Sequence, residues 1–471
     1  MDNSLRNKNL LQGTGIYAIG MFGTKLLSFI IVPLYTYYIA TNDMGVYDLL
    51  VSTVSLLAPL VTMQISDAAY RWIIHGEGDT AAYIRAALQV LFANCLLATL
   101  LILGVNRFIK IPYCAYFVLL LISTRIMETL QKLLRALRRQ KLFAFSGILY
   151  SAVFLLLNVY RICVKREGIT CLFQNSIFAG WVTIVYILVS VPDLRVNILQ
   201  KPDLPIVRDF YRYSIPLVPN YLNWWIINSS DRYIVAFFLG VSSNGILAIT
   251  HKFPTLLQTV LTLFTSSWQD LAVSENERNT GAYYTKVFRI YARLVLSMMW
   301  LLIPLTKIFI NLVMGADYKI ACDYVAFYYL GAAFQSFSSF YGVGYLRRKN
   351  TKQAFSTSIC GAVINAITNL AMVRWIGLQA SAISTFLGFL VMWIIREKQN
   401  RDELGIVVRK AEIITCTLIG IAVSVLSIIG GYALNILLAV GGTVGAFLLN
   451  RAEIKTVLQF VTKKLDSHGR R

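Results

Sequence analysis

Long apolar runs, separated by short polar intervals, dominate this sequence from end to end. They do not alternate with period two, so the pattern predicts helices and argues against a β-barrel. A bilayer core takes about 20 apolar residues per helix, and on that rule the chain carries about fourteen membrane helices. The first six lie at about 11–38, 46–68, 83–105, 112–134, 142–162 and 172–191. The next six lie at about 213–239, 242–268, 286–310, 319–344, 353–373 and 376–395. Two more follow at about 411–430 and 432–450. The predicted fold class is an all-α polytopic membrane protein.

The polar intervals suggest an organisation in halves. Residues 1–191 read as an N-terminal six-helix bundle and 213–395 as a second one. Between them, 192–212 carries Pro192, Pro202 and Pro205 and reads as a cytoplasmic linker. Residues 396–471 hold two extra helices and a basic cytoplasmic tail. The halves echo each other weakly. Tyr38-Ile-Ala-Thr-Asn-Asp-Met-Gly45 aligns with Phe238-Leu-Gly-Val-Ser-Ser-Asn-Gly245 at an offset of 200 residues. Ala144-Phe145-Ser146, after a basic loop, echoes Ala354-Phe355-Ser356 after Arg347-Arg348-Lys349. An even repeat keeps both halves in one orientation, which predicts an axis along the membrane normal and a substrate site between the halves.

Composition narrows the class. The 471 residues are 57% hydrophobic and 14% charged, against about 25% charged in soluble domains. The net charge of +21 does not mark a nucleic-acid surface, because Lys and Arg sit in short clusters between apolar runs, as topology signals do. Their bias predicts both termini inside. The loop bearing Arg161, Lys165 and Arg166 falls on the outside, against the trend. The first apolar segment is too long for a signal h-region, no small-residue cleavage site follows it, and it is expected to remain as a membrane helix. The seven cysteines show no CxxC spacing and mostly read as packing, although Cys163 and Cys171 flank one short loop as a candidate pair. Three histidines without ligand spacing predict no metal site. No cofactor is expected, since no GxxxxGK[ST] phosphate-binding stretch is present.

Charges inside apolar runs are the candidate chemistry, because each costs roughly 2.5–3.5 kcal/mol or more unless it faces a partner or a wet cavity. Lys25 lies too deep in the first helix to reach either interface easily. Asp67 and Arg71, spaced i,i+4, are expected to share a face, as an inner-mouth salt bridge or as a substrate contact. Arg125, Glu128, Lys132 and Arg135 form a stripe at 3–4 spacing that either lines a cavity or makes a polar seam. Asp231 and Arg232 in the seventh helix, and His251 and Lys252 in the eighth, add a further group. Arg293 lies close enough to the inner surface to snorkel. Pro216 and Pro219 are expected to break the seventh helix early, as a static kink or a moving one. Lys25, Arg125, Lys132, Arg232 and Lys252 together predict a cationic cavity, which suits phosphate or pyrophosphate and not cationic drugs. Asp67, Glu128 and Asp231 are candidates for ion coupling, with Arg71 as a gate partner.

Several stretches carry a resemblance. They are Tyr213-Ser-Ile-Pro-Leu-Val-Pro219, Ser230-Asp-Arg-Tyr-Ile-Val235, Phe238-Leu-Gly240 and Asn244-Gly-Ile246. To these add Phe22-Gly-Thr-Lys25, Gly45-Val-Tyr-Asp-Leu49 and Ile65-Ser-Asp-Ala-Ala-Tyr-Arg71-Trp72. The chain resembles Wzx-type polysaccharide-unit flippases of the multidrug/oligosaccharidyl-lipid/polysaccharide (MOP) exporter superfamily. The resemblance implies two six-helix bundles around a central cavity, two extra helices forming a lipid-tail groove or a scaffold, and a place in the bacterial plasma membrane. It implies an undecaprenyl-pyrophosphate-linked glycan as cargo, membrane lipid as a partner, and a polysaccharide polymerase and chain-length regulator as further partners. Three other readings compete: a drug or metabolite antiporter of the same superfamily, a flippase for another lipid-linked precursor, and a membrane polysaccharide polymerase. Short external loops without an exposed carboxylate pair count against the enzyme.

Overall fold

The computed structural model describes residues 22–76, 78–274, 281–348, 350–453 and 455, and all regular structure among them is helical. Ten of the helices are long and apolar enough to cross a membrane. Helix is the form the hydrocarbon permits, because each backbone donor then finds its acceptor in the same segment.

The first half opens with a helix over residues 22–30 (α1), then α2 (Val32–Tyr38), α3 (Thr41–Thr62), α4 (Ile65–His75) and α5 (Thr80–Phe108). Next come α6 (Cys114–Ala136), α7 (Gln140–Asn158), a π-helical turn at Val159–Val164, and α8 (Thr170–Ser190). After a 3-10 turn, α9 (Leu204–Ser214) leads to α10 (Val218–Leu239). The second half runs α11 (Val241–Thr250), α12 (Lys252–Ser274), α13 (Gly281–Val313), α14 (Val325–Arg347) and α15 (Thr351–Ile376). It closes with α16 (Gln379–Leu404), α17 (Lys410–Ile429) and α18 (Tyr432–Leu449).

Several of the predicted spans are interrupted, the first at Ile31 and the eighth at His251 among them. The second predicted helix is split into α3 and α4 at Met63–Gln64. The seventh carries a 3-10 turn at Ile215–Leu217, where Pro216 and Pro219 remove ladder donors. Its helix begins earlier than the apolar run, because Asp203 caps the Ile206 N–H at 3.3 Å and starts α9 inside the stretch read as a linker.

Contacts divide the chain into two compact units. One holds the residues up to Ala236 together with Gly240–Gly245, the other Phe237–Leu239 and the residues from Ile246 on. In the first unit, the N-terminal turns of α3 and α11 meet through glycines. A Cβ on Gly45 would lie 2.9 Å from the Val241 carbonyl carbon, and one on Gly245 would lie 3.0 Å from the Gly45 nitrogen while striking the Thr41 carbonyl. The contact is reciprocal, 41 with 245 and 45 with 241, as the 200-residue echo implies. Arg161, the basic residue out of place in the loop pattern, is neutralised locally. It donates to Glu167, to Asn175 at 3.0 Å and to Gln174 at 2.6 Å. All seven cysteines are free thiols, so Cys163 and Cys171 are not bonded.

The second unit is built around α14, which is buried along most of its length. Its aromatic side stacks Phe340 on Trp268, 4.1 Å between ring centroids, and the indole N–H of Trp268 donates to the Phe340 carbonyl at 3.0 Å. Its small residues admit α16: a Cβ on Gly344 would sit 2.8 Å from the Asn400 amide carbon. Arg396 of α16 is 5% exposed and donates to the Ser338 carbonyl at 3.0 Å, Thr357 at 3.0 Å and Ser358 at 2.9 Å. One planar guanidinium thereby ties α16 to α14 and α15. Lys307 of α13 reaches Asp323 at 2.9 Å and the Ser427 and Ile428 carbonyls at 2.6 and 2.9 Å, which satisfies the C-terminus of α17. Gly442 lets α18 lie against the Trp300 backbone of α13.

Arg396→Ala is expected to lower stability by about 2–4 kcal/mol, since it strips donors from several buried acceptors. Arg396→Lys should recover less than half of that loss, because an ammonium cannot span the same acceptors. Thermal unfolding of the purified protein in detergent checks both, and an unchanged midpoint for Arg396→Ala would refute the role.

Candidate functional site in the first unit

The site begins with a fault in the second membrane span. Pro59 lies inside α3 and leaves the Ser55 carbonyl without its ladder donor. Four residues later Met63 (φ 45°) and Gln64 (φ 54°) adopt left-handed backbone, which costs roughly 1–3 kcal/mol at each non-glycine residue. Thr62 braces the turn: its hydroxyl accepts the Gln64 N–H at 3.3 Å and donates to the Ala58 carbonyl at 2.8 Å. α4 then starts afresh with Asp67 in its first turn, where the helix dipole favours a carboxylate.

The charged stripe of α6 lies against this fault. Lys132 Nζ sits 2.6 Å from Asp67 Oδ1, with about a quarter of each side chain or less exposed. The Tyr221 hydroxyl of α10 donates to Asp67 Oδ2 at 3.3 Å. Buried Arg125 grips Glu128 through two hydrogen bonds of 2.7 and 3.0 Å. Arg135 lies over the rings of Tyr70 and Phe143, at 5.6 and 5.7 Å. Between α3, α4, α6 and Tyr221 is a cavity of about 310 Å³. Arg125, Lys132 and Arg135 line it with one carboxylate, Glu128, beside Ser55, Thr62 and Gln64. Its charge is therefore positive, and its donors are of the kind that replace water around an anion.

A second charged cluster occupies the same unit. Arg232 pairs with Asp48 at 3.1 Å and donates to Ser52 at 2.6 Å. Asn244 donates to Asp48 at 3.3 Å and to the Gly45 carbonyl at 3.1 Å, which joins this cluster to the glycine contact. Buried Asp231 accepts the backbone N–H of Arg232 at 3.0 Å. The side-chain counter-charge of Arg232 is thus Asp48, on another helix.

The sequence-derived residues are distributed as follows. Arg125, Glu128 and Lys132 line the cavity, and Asp67 holds Lys132 from just outside it. Arg71 does not take Asp67 at i,i+4. It lies over the Tyr213 ring at 4.8 Å, while Asp67 takes the better-placed ammonium across the helix pair. Lys25 is exposed on α1. His251 and Lys252 belong to the second unit, where the His251 ring lies tilted against that of Tyr328, 4.3 Å between centroids. Arg293 is held by Glu453 at 2.7 Å and by the Leu449 carbonyl at 2.7 Å. Asp48 and Tyr221 were missed. A carboxylate three residues into an apolar run was the available signal for Asp48, whereas nothing in the sequence sets Tyr221 apart from the chain's other tyrosines.

The fold and its apolar helices define a multi-pass, all-helical membrane protein with a charged cavity. The polysaccharide biosynthesis protein family model matches residues 10–269, and the chain belongs to that family. Among solved structures it is similar to the lipid II flippase MurJ in an inward closed conformation, at 13% identity and TM-score 0.71, over 93% of this chain and 99% of that one. It is also similar to an outward-facing multidrug resistance MATE family transporter of the MOP superfamily, at 13% identity and TM-score 0.60, over 83% and 95%. A MATE protein in its straight conformation matches at 15% identity and TM-score 0.57, over 84% and 95%. No curated protein matches. The expectation of a polysaccharide-biosynthesis family protein is thereby shown, and its fold is similar to those of these solved structures.

Neutralising either partner of the Asp67–Lys132 pair strands a partly buried charge. Asp67→Asn and Lys132→Gln are each expected to cost about 1–3 kcal/mol, with the double variant no worse than the poorer single one. A double-mutant thermal unfolding cycle measures this, and strict additivity would mean that the two side chains do not interact.

Proposed function

We propose that the protein is a flippase moving undecaprenyl-pyrophosphate-linked oligosaccharide units from the inner to the outer leaflet of the bacterial plasma membrane, for surface polysaccharide synthesis. The observation that carries this reading is the positive cavity at the broken second span, where Arg125, Lys132 and Arg135 face a single lining carboxylate. Membership of the polysaccharide biosynthesis family supports it. A sugar and a pyrophosphate must cross about 30 Å of hydrocarbon, while a polyprenyl tail can stay in lipid. A shielded cationic cavity lowers the cost for the polar part alone.

In this reading the bundles 1–191 and 213–395 rock about the linker 192–212, with 396–471 as the extra pair and both termini cytoplasmic. Lys25, Arg232 and Lys252 are further candidate contacts for the cargo, with Asp231 next to Arg232 in the chain. Asp48, Asp67 and Glu128 then hold the cations while no cargo is bound. The incoming phosphate exchanges with carboxylates, so binding stays weak enough for release. Asp67, Glu128 and Asp231 are the coupling candidates, with Arg71 at the gate. The fold shared with MATE transporters favours a second reading, a drug or metabolite antiporter.

The test is deletion of the gene in its host and complementation with wild type, Lys132→Ala, Arg135→Ala, Arg232→Ala, Lys252→Ala or Lys25→Ala. Lipid-linked oligosaccharide is sorted by leaflet beside surface polysaccharide, with membrane levels of each variant checked. Units stranded in the inner leaflet, and at least a tenfold loss of rescue by Lys132→Ala at normal levels, are expected. Units reaching the outer leaflet unpolymerised would identify a polymerase. Unchanged polysaccharide with altered drug tolerance would support the antiporter, and loss of cell-wall synthesis would indicate another lipid-linked precursor.

A further inference from the structure

The second unit contains a cavity unrelated to the one above. It lies between the first turns of α13, the residues before α17, and the start of α17, and its volume is about 200 Å³. Its lining is graded. Near the helix starts it carries Lys286, Arg289 and Arg293 on α13 and Arg409 just before α17, against one lining carboxylate, Glu412. Lys286, Arg289 and Arg293 follow i, i+3, i+7 spacing, so they share one face of α13. Further along both helices the lining turns apolar, through Leu296, Ile413 and Cys416.

The cations are only partly neutralised. Glu412 takes Arg289 at 2.9 Å and approaches Arg293 at 3.6 Å, and Glu453 takes Arg293 at 2.7 Å. Lys286 and Arg409 are exposed, and neither has an ion pair among the described residues. Two cations thus remain at the rim of a recess whose floor is hydrocarbon-like. α13 and α17 both run inward from this rim, and both are long and apolar enough to span the membrane. The rim therefore lies at headgroup level, and the apolar floor at the level of acyl chains.

We propose that this recess binds an anionic phospholipid, its phosphodiester held by Lys286 and Arg409 and its proximal acyl segment lying along Leu296, Ile413 and Cys416. A phosphodiester supplies the negative charge that the rim lacks, and surface Lys and Arg residues attract anionic lipid headgroups. A free phosphate shares the headgroup chemistry but leaves the apolar floor in contact with water, so the graded lining favours the lipid. Arg289 and Arg293 position the rim by holding Glu412 away from the two exposed cations.

The test uses the full-length purified protein, delipidated in a neutral detergent. Dioleoyl-phosphatidylglycerol, dioleoyl-phosphatidylcholine and inorganic phosphate are compared as ligands, by native mass spectrometry and by thermal shift. Phosphatidylglycerol should bind and raise the melting temperature, while phosphatidylcholine and phosphate should do so at least threefold less. The Lys286→Gln/Arg409→Gln double variant breaks no described ion pair, so it should keep the melting temperature of wild type without lipid and lose at least two thirds of the phosphatidylglycerol response. An undiminished response in that variant would overturn the site, as would a phosphate response equal to that of the lipid. If the double variant proves unstable, the single Lys286→Gln variant, expected to lose about half the response, decides in the same way. Leu296→Asn separates the floor from the rim: it should weaken phosphatidylglycerol binding, and unchanged lipid binding would overturn the acyl contact.

Discussion

A carboxylate inside a membrane-spanning bundle needs a cation beside it, and the charged part of this structure is arranged around that requirement. Asp48 has Arg232, Asp67 has Lys132, Glu128 has Arg125, and Asp323 has Lys307. Each pair brings two helices together or closes one turn of a single helix. Because an unpaired partner would carry an uncompensated desolvation cost, these pairs fix which helix faces meet. The arginines and lysines outnumber the acids, and the surplus collects in particular places. One is the cavity against α6, and another is the rim between α13 and α17. Arg396 departs from the rule, with its hydrogen bonds going to carbonyls and hydroxyls. A guanidinium can be buried this way because its donors are fixed in a plane that several neutral acceptors can surround.

Much of the fold was legible from apolar run length alone, because the bilayer imposes a length on every span. Among the described residues the helices correspond in order to the predicted segments, residues 11–21 of the first segment lying outside them, and the stripe on α6 was readable from its 3–4 spacing. The glycine echo at 45 and 245 was also readable, although its physical reason was not. The two residues let two helix N-termini pack backbone against backbone, and a side chain at either would strike a carbonyl. What sequence spacing missed were choices between local and distant partners. Asp67 and Arg71 satisfy the i,i+4 rule, but such a pair on an isolated helix is worth only about 0.2–0.5 kcal/mol. Lys132, arriving from another helix into a partly buried place, outcompetes it. Arg293, read as near the inner surface, meets two carboxylates and a carbonyl from elements far along the chain. Asp48 was visible as a charge, but its partner lies 184 positions further along the chain.

The break at Met63–Gln64 was the least legible feature, and it sits beside the cavity. Neither methionine nor glutamine favours left-handed backbone, so no local signal announces it. The strain persists because its surroundings hold it in place: Thr62 braces the turn, Pro59 has already removed one ladder bond, and α4 is secured to α6 through Asp67. A continuous helix through 41–75 would relieve the left-handed backbone at Met63–Gln64, with Pro59 still lacking its donor, but it would carry Asp67 away from Lys132. The cost of two strained residues is therefore set against the cost of an unpaired carboxylate and an unpaired ammonium.

That balance bears on how such a cavity could work under the proposed function. If an anion takes Lys132, Asp67 loses its counter-charge, and the reason for the break at Met63–Gln64 weakens with it. The ion pair and the backbone strain are thus linked: whatever binds the cation also changes what the second span gains from being broken. Tyr221 extends the linkage to α10, because its hydroxyl donates to the same carboxylate. α10 itself follows a 3-10 turn set by Pro216 and Pro219, so the helix that carries Asp67 and the helix that carries Tyr221 both have an interrupted ladder close by. Cargo binding at the cavity would then act on two segments that are already bent, with one carboxylate as the shared point of contact.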